Sequence, residues 1–119
     1  MFKDRKRTGD LGEKQAAKFL KKHGYKVLET NYRCPIGGID IIASDGDTIV
    51  FVEVRTRHGQ RFGTPEESVN GTKQAKLIKL AQFYMNNQND QSKPWRIDVV
   101  AIEIFKHIFI VRRKHKTKK

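Results

Sequence analysis

Two apolar runs that each carry one acidic residue constrain this chain more than any other feature. The first run is Gly38-Ile39-Asp40-Ile41-Ile42 and the second is Phe51-Val52-Glu53-Val54-Arg55. Between them, Asp45-Gly46-Asp47 has the composition of a tight turn, so the segment predicts a hairpin of two strands, Ile39 to Ser44 and Thr48 to Thr56. Both faces of this hairpin are apolar, which is typical of central strands that are covered on both sides.

The position of the turn decides whether the two acids meet. A two-residue turn at Gly46-Asp47 would place Asp40 directly opposite Glu53, whereas a turn at Asp45-Gly46 would make Glu53 a diagonal neighbour on the same face. A three-residue turn would put the acids on opposite faces, because side chains alternate along a strand. Both two-residue turns therefore predict a carboxylate pair on a largely apolar surface.

A buried carboxylate pair needs compensating charge, because an unpaired buried carboxylate is costly. In one interpretation Asp40 and Glu53 bind Mg²⁺ or Mn²⁺, hard cations that take one or two carboxylates together with water and phosphate oxygens. Such an ion activates water against a phosphodiester, and Arg55 would contact the scissile phosphate or hold the attacking water. In the other interpretation Arg55 forms an internal salt bridge with one of the acids, which is not clearly stabilising relative to apolar packing.

The charge of the chain indicates the kind of partner. Its 119 residues include 25 Lys and Arg against 13 Asp and Glu, a formal net charge of +12. This excess favours a polyanion, most often nucleic acid, with a membrane surface, an acidic protein patch or a merely solubilising surface as alternatives. Cys34 is the only cysteine, which excludes an internal disulfide and a cysteine zinc site. No apolar stretch approaches a membrane span, and the N-terminus lacks a signal-like segment, so we expect a cytoplasmic protein without a membrane partner.

The remaining segments predict a single α/β domain over residues 1–119. A mixed central sheet flanked by helices is expected, in the order α-β-β-β-α-β-β. Besides the hairpin, its elements are helices from Asp10 to His23 and from Thr72 to Asn87, and strands Tyr25–Tyr32, Trp95–Ile104 and His107–Arg112. The basic segments 1–8 and 112–119 are expected to be mobile ends.

Several side chains outside the hairpin are candidates for the site. Glu13 either caps the first helix in a box with Asp10 or borders its apolar stripe and reaches the sheet. Gln74 falls on the inward stripe of the second helix, where it would orient water or phosphate, or form a half-buried amide bonded to backbone. The basic loop from Arg57 to Pro65 is either a backbone clamp or a connector. The cations expected to contact nucleic acid are Arg57, Arg61, Lys73, Lys76, Arg112 and Arg113.

The acidic residues also resemble a known signature. An Asp followed on the next strand by Glu-x-Lys is the pattern of PD-(D/E)XK nucleases, and Asp40 with Glu53-Val54-Arg55 is similar to it. A wider set of motifs, over about residues 8–111, resembles the YraN-like family of small bacterial proteins with a Holliday-junction-resolvase-like fold. These motifs are Gly12-Glu13-x-x-Ala16, Gly24-Tyr25, Asn31-Tyr32-Arg33, Gly46-Asp47, Phe62-Gly63, Lys73-Gln74 and Arg96-Ile97-Asp98-Val99-Val100.

The resemblance implies a restriction-endonuclease-like fold and a metal-dependent site. Asp40 and Glu53 would be the metal ligands, Arg55 would stand in the place of the catalytic lysine, and Glu13 would match the acid of the first helix. The chain departs from the family pattern twice: Gly38 stands where the family usually has Glu, and Arg55 where it usually has Lys. Arginine keeps the charge and can hold phosphate with two hydrogen bonds, but it does not deprotonate readily.

Three functions are consistent with these residues. The first is a metal-dependent endonuclease that acts on DNA rather than RNA, including branched DNA; resolvase-like enzymes act as dimers, so by analogy a homodimer is expected. The second is a nucleic-acid-binding module on the same fold without turnover, which Gly38 and Arg55 favour. The third is a basic adaptor for an acidic protein. The scattered aromatic residues favour recognition of backbone and shape over base stacking.

Overall fold

The computed structural model describes residues 2–58, 71–89, 91–105 and 108–118. Its elements are α1 (Phe2–Lys22), β1 (Lys26–Cys34), β2 (Gly37–Asp45), β3 (Thr48–His58), α2 (Gly71–Asn86), β4 (Trp95–Phe105) and β5 (Ile108–Lys118). The strands form one sheet in the order β1-β2-β3-β4-β5. The order of elements and the mixed α/β architecture confirm the predicted fold class.

The sheet is mixed because one connection crosses over it. Strands β3 and β4 pair in parallel, joined by the segment that contains α2, while the other neighbours are antiparallel. Helix α1 covers one face and helix α2 the other. In the α1-side core, Ala16 and Leu20 of the helix are buried with Ile41, Val52 and Val100. In the α2-side core, Leu77, Leu80, Ala81 and Tyr84 are buried with Ile42, Phe51 and Val99.

The β2–β3 turn is the one that aligns the two acids. Asp45 pairs with Thr48, so the turn has Gly46 and Asp47 at its centre. Gly46 has a φ of 60°, as the first central position of a type II′ turn requires. Of the two registers that the sequence allowed, the structure has the one that brings Asp40 towards Glu53.

Strand β2 does not keep its predicted alternation of faces. Ile39 and Ile41, two residues apart, were expected on one face, yet Ile39 lies in the α2-side core and Ile41 in the α1-side core. The pairing of β1 with β2 places Asn31 opposite Asp40, between these two residues. Asn31 has a φ of 53°, a left-handed conformation that Asn tolerates and that marks an irregularity in β1 at the same level of the sheet. The alternation of β2 thus changes between Ile39 and Ile41, at Asp40.

Both basic ends extend regular elements further than the sequence predicts. Helix α1 begins at Phe2 rather than Asp10, which removes the capping box, and Lys and Arg in this segment are good helix formers. Strand β5 continues to Lys118 rather than ending at Arg112, because its backbone pairs with β4 as far as Arg96↔Lys118. Ladder hydrogen bonds need no apolar side chains, so a strand can continue into a basic segment.

Helix α1 approaches β3 so closely that residue 12 must lack a side chain. A Cβ at Gly12 would overlap the Thr56 hydroxyl and lie 2.9 Å from the Thr56 Cβ. Gly12→Ala should therefore destabilise the fold by about 1–3 kcal/mol through overpacking, although Ala is otherwise the better helix residue. Chemical denaturation measures the change, and Gly71→Ala is the control because a Cβ there meets no atom of the described residues within 4 Å. Equal effects of the two substitutions would contradict this packing.

Within the described residues, no helix is long and apolar enough to span a membrane.

Candidate active site around Asp40 and Glu53

Strands β2 and β3 separate at the acid pair. Their recorded pairing ends at Ile41↔Val52, although β1–β2 and β3–β4 pairing continues past this point. The backbone N–H of Val54 donates instead to the Asp40 carboxylate, at 2.8 Å. Because a strand N–H points within the sheet towards the neighbouring strand, the Asp40 carboxylate lies in the gap between β2 and β3.

Glu53 approaches this gap from the α2 face. Its side chain is only 8% exposed, and its Oε2 atom lies 3.0 Å from an Nη of Arg55 and 3.4 Å from Nζ of Lys73. This contact places Lys73 beside the acid pair, on the side of α2 that faces the sheet. Lys73 stands four residues before the buried Leu77 and lies on the same stripe of α2.

The two acids are electrostatically coupled. Burial raises the pKa of Glu53 above 4.5, the negative charge of Asp40 raises it further, and the positive charges of Arg55 and Lys73 oppose the shift. A hydrogen bond between the two carboxyl groups acts in the same direction as burial. An acid pair of this kind favours either a shared proton or a bound cation.

Glu13 reaches the same gap from the α1 face. Burial raises the pKa of Glu13 and the nearby charge of Asp40 adds to the shift, whereas Arg33 lowers it. Its Oε1 atom is buried and has no hydrogen-bond partner among the described residues. The contact of Gly12 with Thr56 explains this placement, because it brings the adjacent turn of α1 onto the sheet.

Arg33 lies over Gly38, on the strand next to the acid pair. The two residues are partners in the β1–β2 ladder, and a Cβ at Gly38 would overlap the Arg33 guanidinium. The guanidinium thus covers the position where the family usually carries a Glu side chain. Sequence reasoning did not select Arg33 for the site, although it lies in the Asn31-Tyr32-Arg33 motif.

The other predicted site residues lie at varying distances from the acid pair. Gln74 is half-buried in the first turn of α2, next to Lys73, and Lys76 is exposed with its Cε 3.4 Å from where a Cβ of Gly37 would lie. Arg57 belongs to β3 rather than to a loop, and one of its Nη atoms lies 3.7 Å from the buried Glu103.

Among the predicted cations near the C-terminus and in the β3–α2 connection, only Arg113 has a side chain that the structure describes. Arg113 places its guanidinium over the ring of Tyr25, 5.1 Å from the ring centre, rather than beside Asp40 or Glu53. Arg112 is part of β5, but its side chain is outside what the structure describes, and Arg61 lies outside the described residues altogether.

Asp40 and Glu53 fit a hard divalent cation of the Mg²⁺ type. Such ions need only one or two protein carboxylates, with water and phosphate oxygens completing the shell. In the described part of the chain, no three His, Cys, Asp or Glu side chains form a metal-binding cluster. The donor set thus resembles a site that shares its ion with a phosphate substrate rather than an all-protein cage.

The raised pKa of Glu53 predicts that the difference in stability between wild type and Glu53→Gln depends on pH. In the presence of a chelator, the folded chain holds a proton on Glu53 at pH values where the unfolded chain has lost it. The resulting loss of stability grows as pH rises from 4.5 through the raised pKa. Glu53→Gln should therefore be more stable than wild type at about pH 8, with the difference vanishing near about pH 4. Urea denaturation measures it, and a pH-independent difference would exclude this origin.

Comparisons with known proteins identify the relatives of the chain. The model of the "Uncharacterised protein family UPF0102" matches residues 12–102. A UPF0102 protein of Moorella thermoacetica is 50% identical over 102 residues, covering 86% of this chain and 85% of the relative. A UPF0102 protein of Syntrophus aciditrophicus is 49% identical over 98 residues, covering 82% and 77%. These matches confirm the YraN-like family expected from the motifs: the chain belongs to the UPF0102 family.

Proposed function

We propose that this protein is a metal-dependent endonuclease that cleaves DNA, with branched DNA as its preferred substrate. The observation that carries the proposal is the carboxylate pair at the gap between β2 and β3. One acid is fixed by the Val54 amide, and the other is buried beside two cations. A purely structural role would not require two like charges to face each other in a place where apolar residues pack equally well.

The chain supplies a different element of the reaction from each side of the gap. Asp40 and Glu53 would hold the cation, which supplies Lewis-acid chemistry and lowers the pKa of a bound water. The Arg55 side chain is 32% exposed and forms an ion pair with Glu53 that keeps this acid oriented. Its remaining N–H groups would face the scissile phosphate. Glu13, with a raised pKa and an unpaired oxygen, lies on the α1 side, where it orients water at the gap.

The basic surface supports a nucleic-acid substrate. Arg33 lies on the β1 side of the acid pair, and Lys73, Arg55 and Arg57 lie on the α2 side. A sugar-phosphate backbone that crosses the gap would meet cations before and after the scissile bond. Such contacts position a duplex without reading its sequence, which suits recognition of shape, and binding should weaken steeply with added salt.

Binding without turnover is the second candidate. Gly38 and Arg55 support it, since they replace the acid and the lysine that the family pattern usually carries. In that case the same surface would bind nucleic acid, and the acid pair would be neutralised internally by Arg55 and Lys73.

One experiment separates these functions. The purified chain is incubated with branched, duplex and single-stranded DNA and with RNA, in Mg²⁺, in Mn²⁺ and in chelator. Endonuclease function predicts cleavage of branched DNA in the presence of metal only. Salt-dependent binding without cleavage would support the binding module, and no binding to any nucleic acid would leave the adaptor for an acidic protein.

A further inference from the structure

Two cations converge on one oxygen of the buried acid. The Nζ of Lys73 and an Nη of Arg55 both lie within hydrogen-bonding or ion-pair distance of Glu53 Oε2, at 3.4 and 3.0 Å. They come from different elements, since Arg55 is on β3 and Lys73 is in the first turn of α2. Glu53 is buried, whereas both cationic side chains extend to solvent, at 32% and 36% exposure.

The charges of this cluster suit an anionic ligand once a metal is bound. Arg55 and Lys73 formally balance Asp40 and Glu53, so a divalent cation would leave excess positive charge at the gap. That excess matches the negative charge that grows on a phosphodiester under attack. Without a ligand, the two cations are held on Glu53 instead.

Arginine and lysine differ in what they can do here. The planar guanidinium of Arg55 lies at the shorter distance from Glu53, and its Nε is buried, so its geometry is largely fixed. The ammonium of Lys73 is compact, carries three rotatable donors and sits at the end of a flexible stem. It is therefore the group that can turn from Glu53 to an oxygen of a bound phosphate.

We infer that Lys73 is a catalytic residue of the proposed nuclease: its ammonium donates a hydrogen bond to a non-bridging oxygen of the scissile phosphate and stabilises the charge that develops there. The inference rests on the proposed function, and it separates the role of Lys73 from that of the other lysines of α2. Lys79 is exposed on the same helix and lies outside the stripe that faces the sheet.

Single-turnover cleavage of branched DNA at saturating Mn²⁺ tests the inference, together with Mn²⁺ titration of the free protein and thermal melting. Lys73→Met should lower the cleavage rate about 100-fold, the effect of losing one donor to the transition state. Its Mn²⁺ affinity should be unchanged or tighter, because a cation that competes for Glu53 is gone. Lys79→Met should cleave and bind as wild type does.

A second variant tests whether cleavage requires an ammonium group beside the Glu53 carboxylate. In the double variant Arg55→Lys with Lys73→Met, a lysine at the other position beside Oε2 should restore the rate to within about tenfold of wild type. Three results would each overturn the inference while leaving the proposed function in place. They are a wild-type cleavage rate in Lys73→Met, a loss of rate that weaker Mn²⁺ binding or a lower melting temperature explains, and no recovery of the rate in the double variant. A wild-type chain that cleaves nothing would overturn the proposed function, and the inference with it.

Discussion

Asp40→Asn is expected to abolish metal-dependent cleavage while leaving the fold intact. The asparagine amide oxygen can still accept the hydrogen bond from the Val54 N–H, so the separation of β2 from β3 is preserved. The negative charge that holds the cation is lost. If the cation contributes about 4 kcal/mol to transition-state stabilisation, within the several kcal/mol typical of metal catalysis, the rate should fall about 1,000-fold.

Stability measurements distinguish this loss from unfolding. Without metal, Asp40→Asn should be as stable as wild type or more so, because Glu53 no longer faces a like charge. Added Mn²⁺ should raise the melting temperature of wild type and not that of the variant, since a ligand stabilises only the state that binds it. Asp47→Asn, on the exposed hairpin turn, is the matched control and should behave as wild type. Metal-dependent cleavage that survives Asp40→Asn and, separately, Glu53→Gln would rule out this site.

Arg96→Met is expected to cause the largest loss of stability of any substitution considered. Asp98 is completely buried in β4, and the Nε of Arg96 lies 3.1 Å from its Oδ1. An Nη of the same guanidinium donates to the Tyr25 hydroxyl and lies 3.1 Å from Asp45 Oδ2. Removing one member of a buried pair leaves the other charge poorly compensated, which typically costs about 3–5 kcal/mol.

The control for Arg96→Met is the second arginine on the same tyrosine. Arg113→Met removes a cation from the Tyr25 ring, but Arg113 is exposed, so the loss should be about 0.5–1 kcal/mol. Urea denaturation of both variants gives the comparison. Near-equal losses would show that the Arg96–Asp98 pair contributes no more than a surface contact. The double variant Arg96→Met with Asp98→Leu should recover part of the loss, because it also removes the buried carboxylate that Arg96 faces.

Local sequence patterns predicted most of the architecture. The apolar runs around Asp45-Gly46-Asp47 gave the central hairpin, and the helical spacing of Leu77, Ala81 and Tyr84 gave the inward face of α2. These signals succeed because alternation and helical periodicity are properties of neighbouring residues. The meeting of Asp40 and Glu53 followed from the same logic, once the turn selected one of two registers.

The features that sequence reasoning missed depend on contacts between distant segments. The reversal of β2 lies beside the left-handed Asn31 of the neighbouring strand, and the placement of Glu13 depends on the contact of Gly12 with Thr56. Lys73 reaches Glu53 only because α2 packs its first turn against β3, although its spacing to Leu77 offered a signal. In the two basic ends, helix propensity and backbone pairing extend α1 to Phe2 and β5 to Lys118, beyond the bounds that apolar periodicity predicts.

The reversal at Asp40 has a consequence for redesign of the site. At this point the Asp40 carboxylate accepts a hydrogen bond from a main-chain group, the Val54 amide on β3. Exchange of residue 38 or 55 leaves the Val54 amide in place, but the two positions are not equally open. An acid at position 38 requires Arg33 to move, because a Cβ at Gly38 would overlap its guanidinium, whereas a lysine at position 55 can still face Glu53.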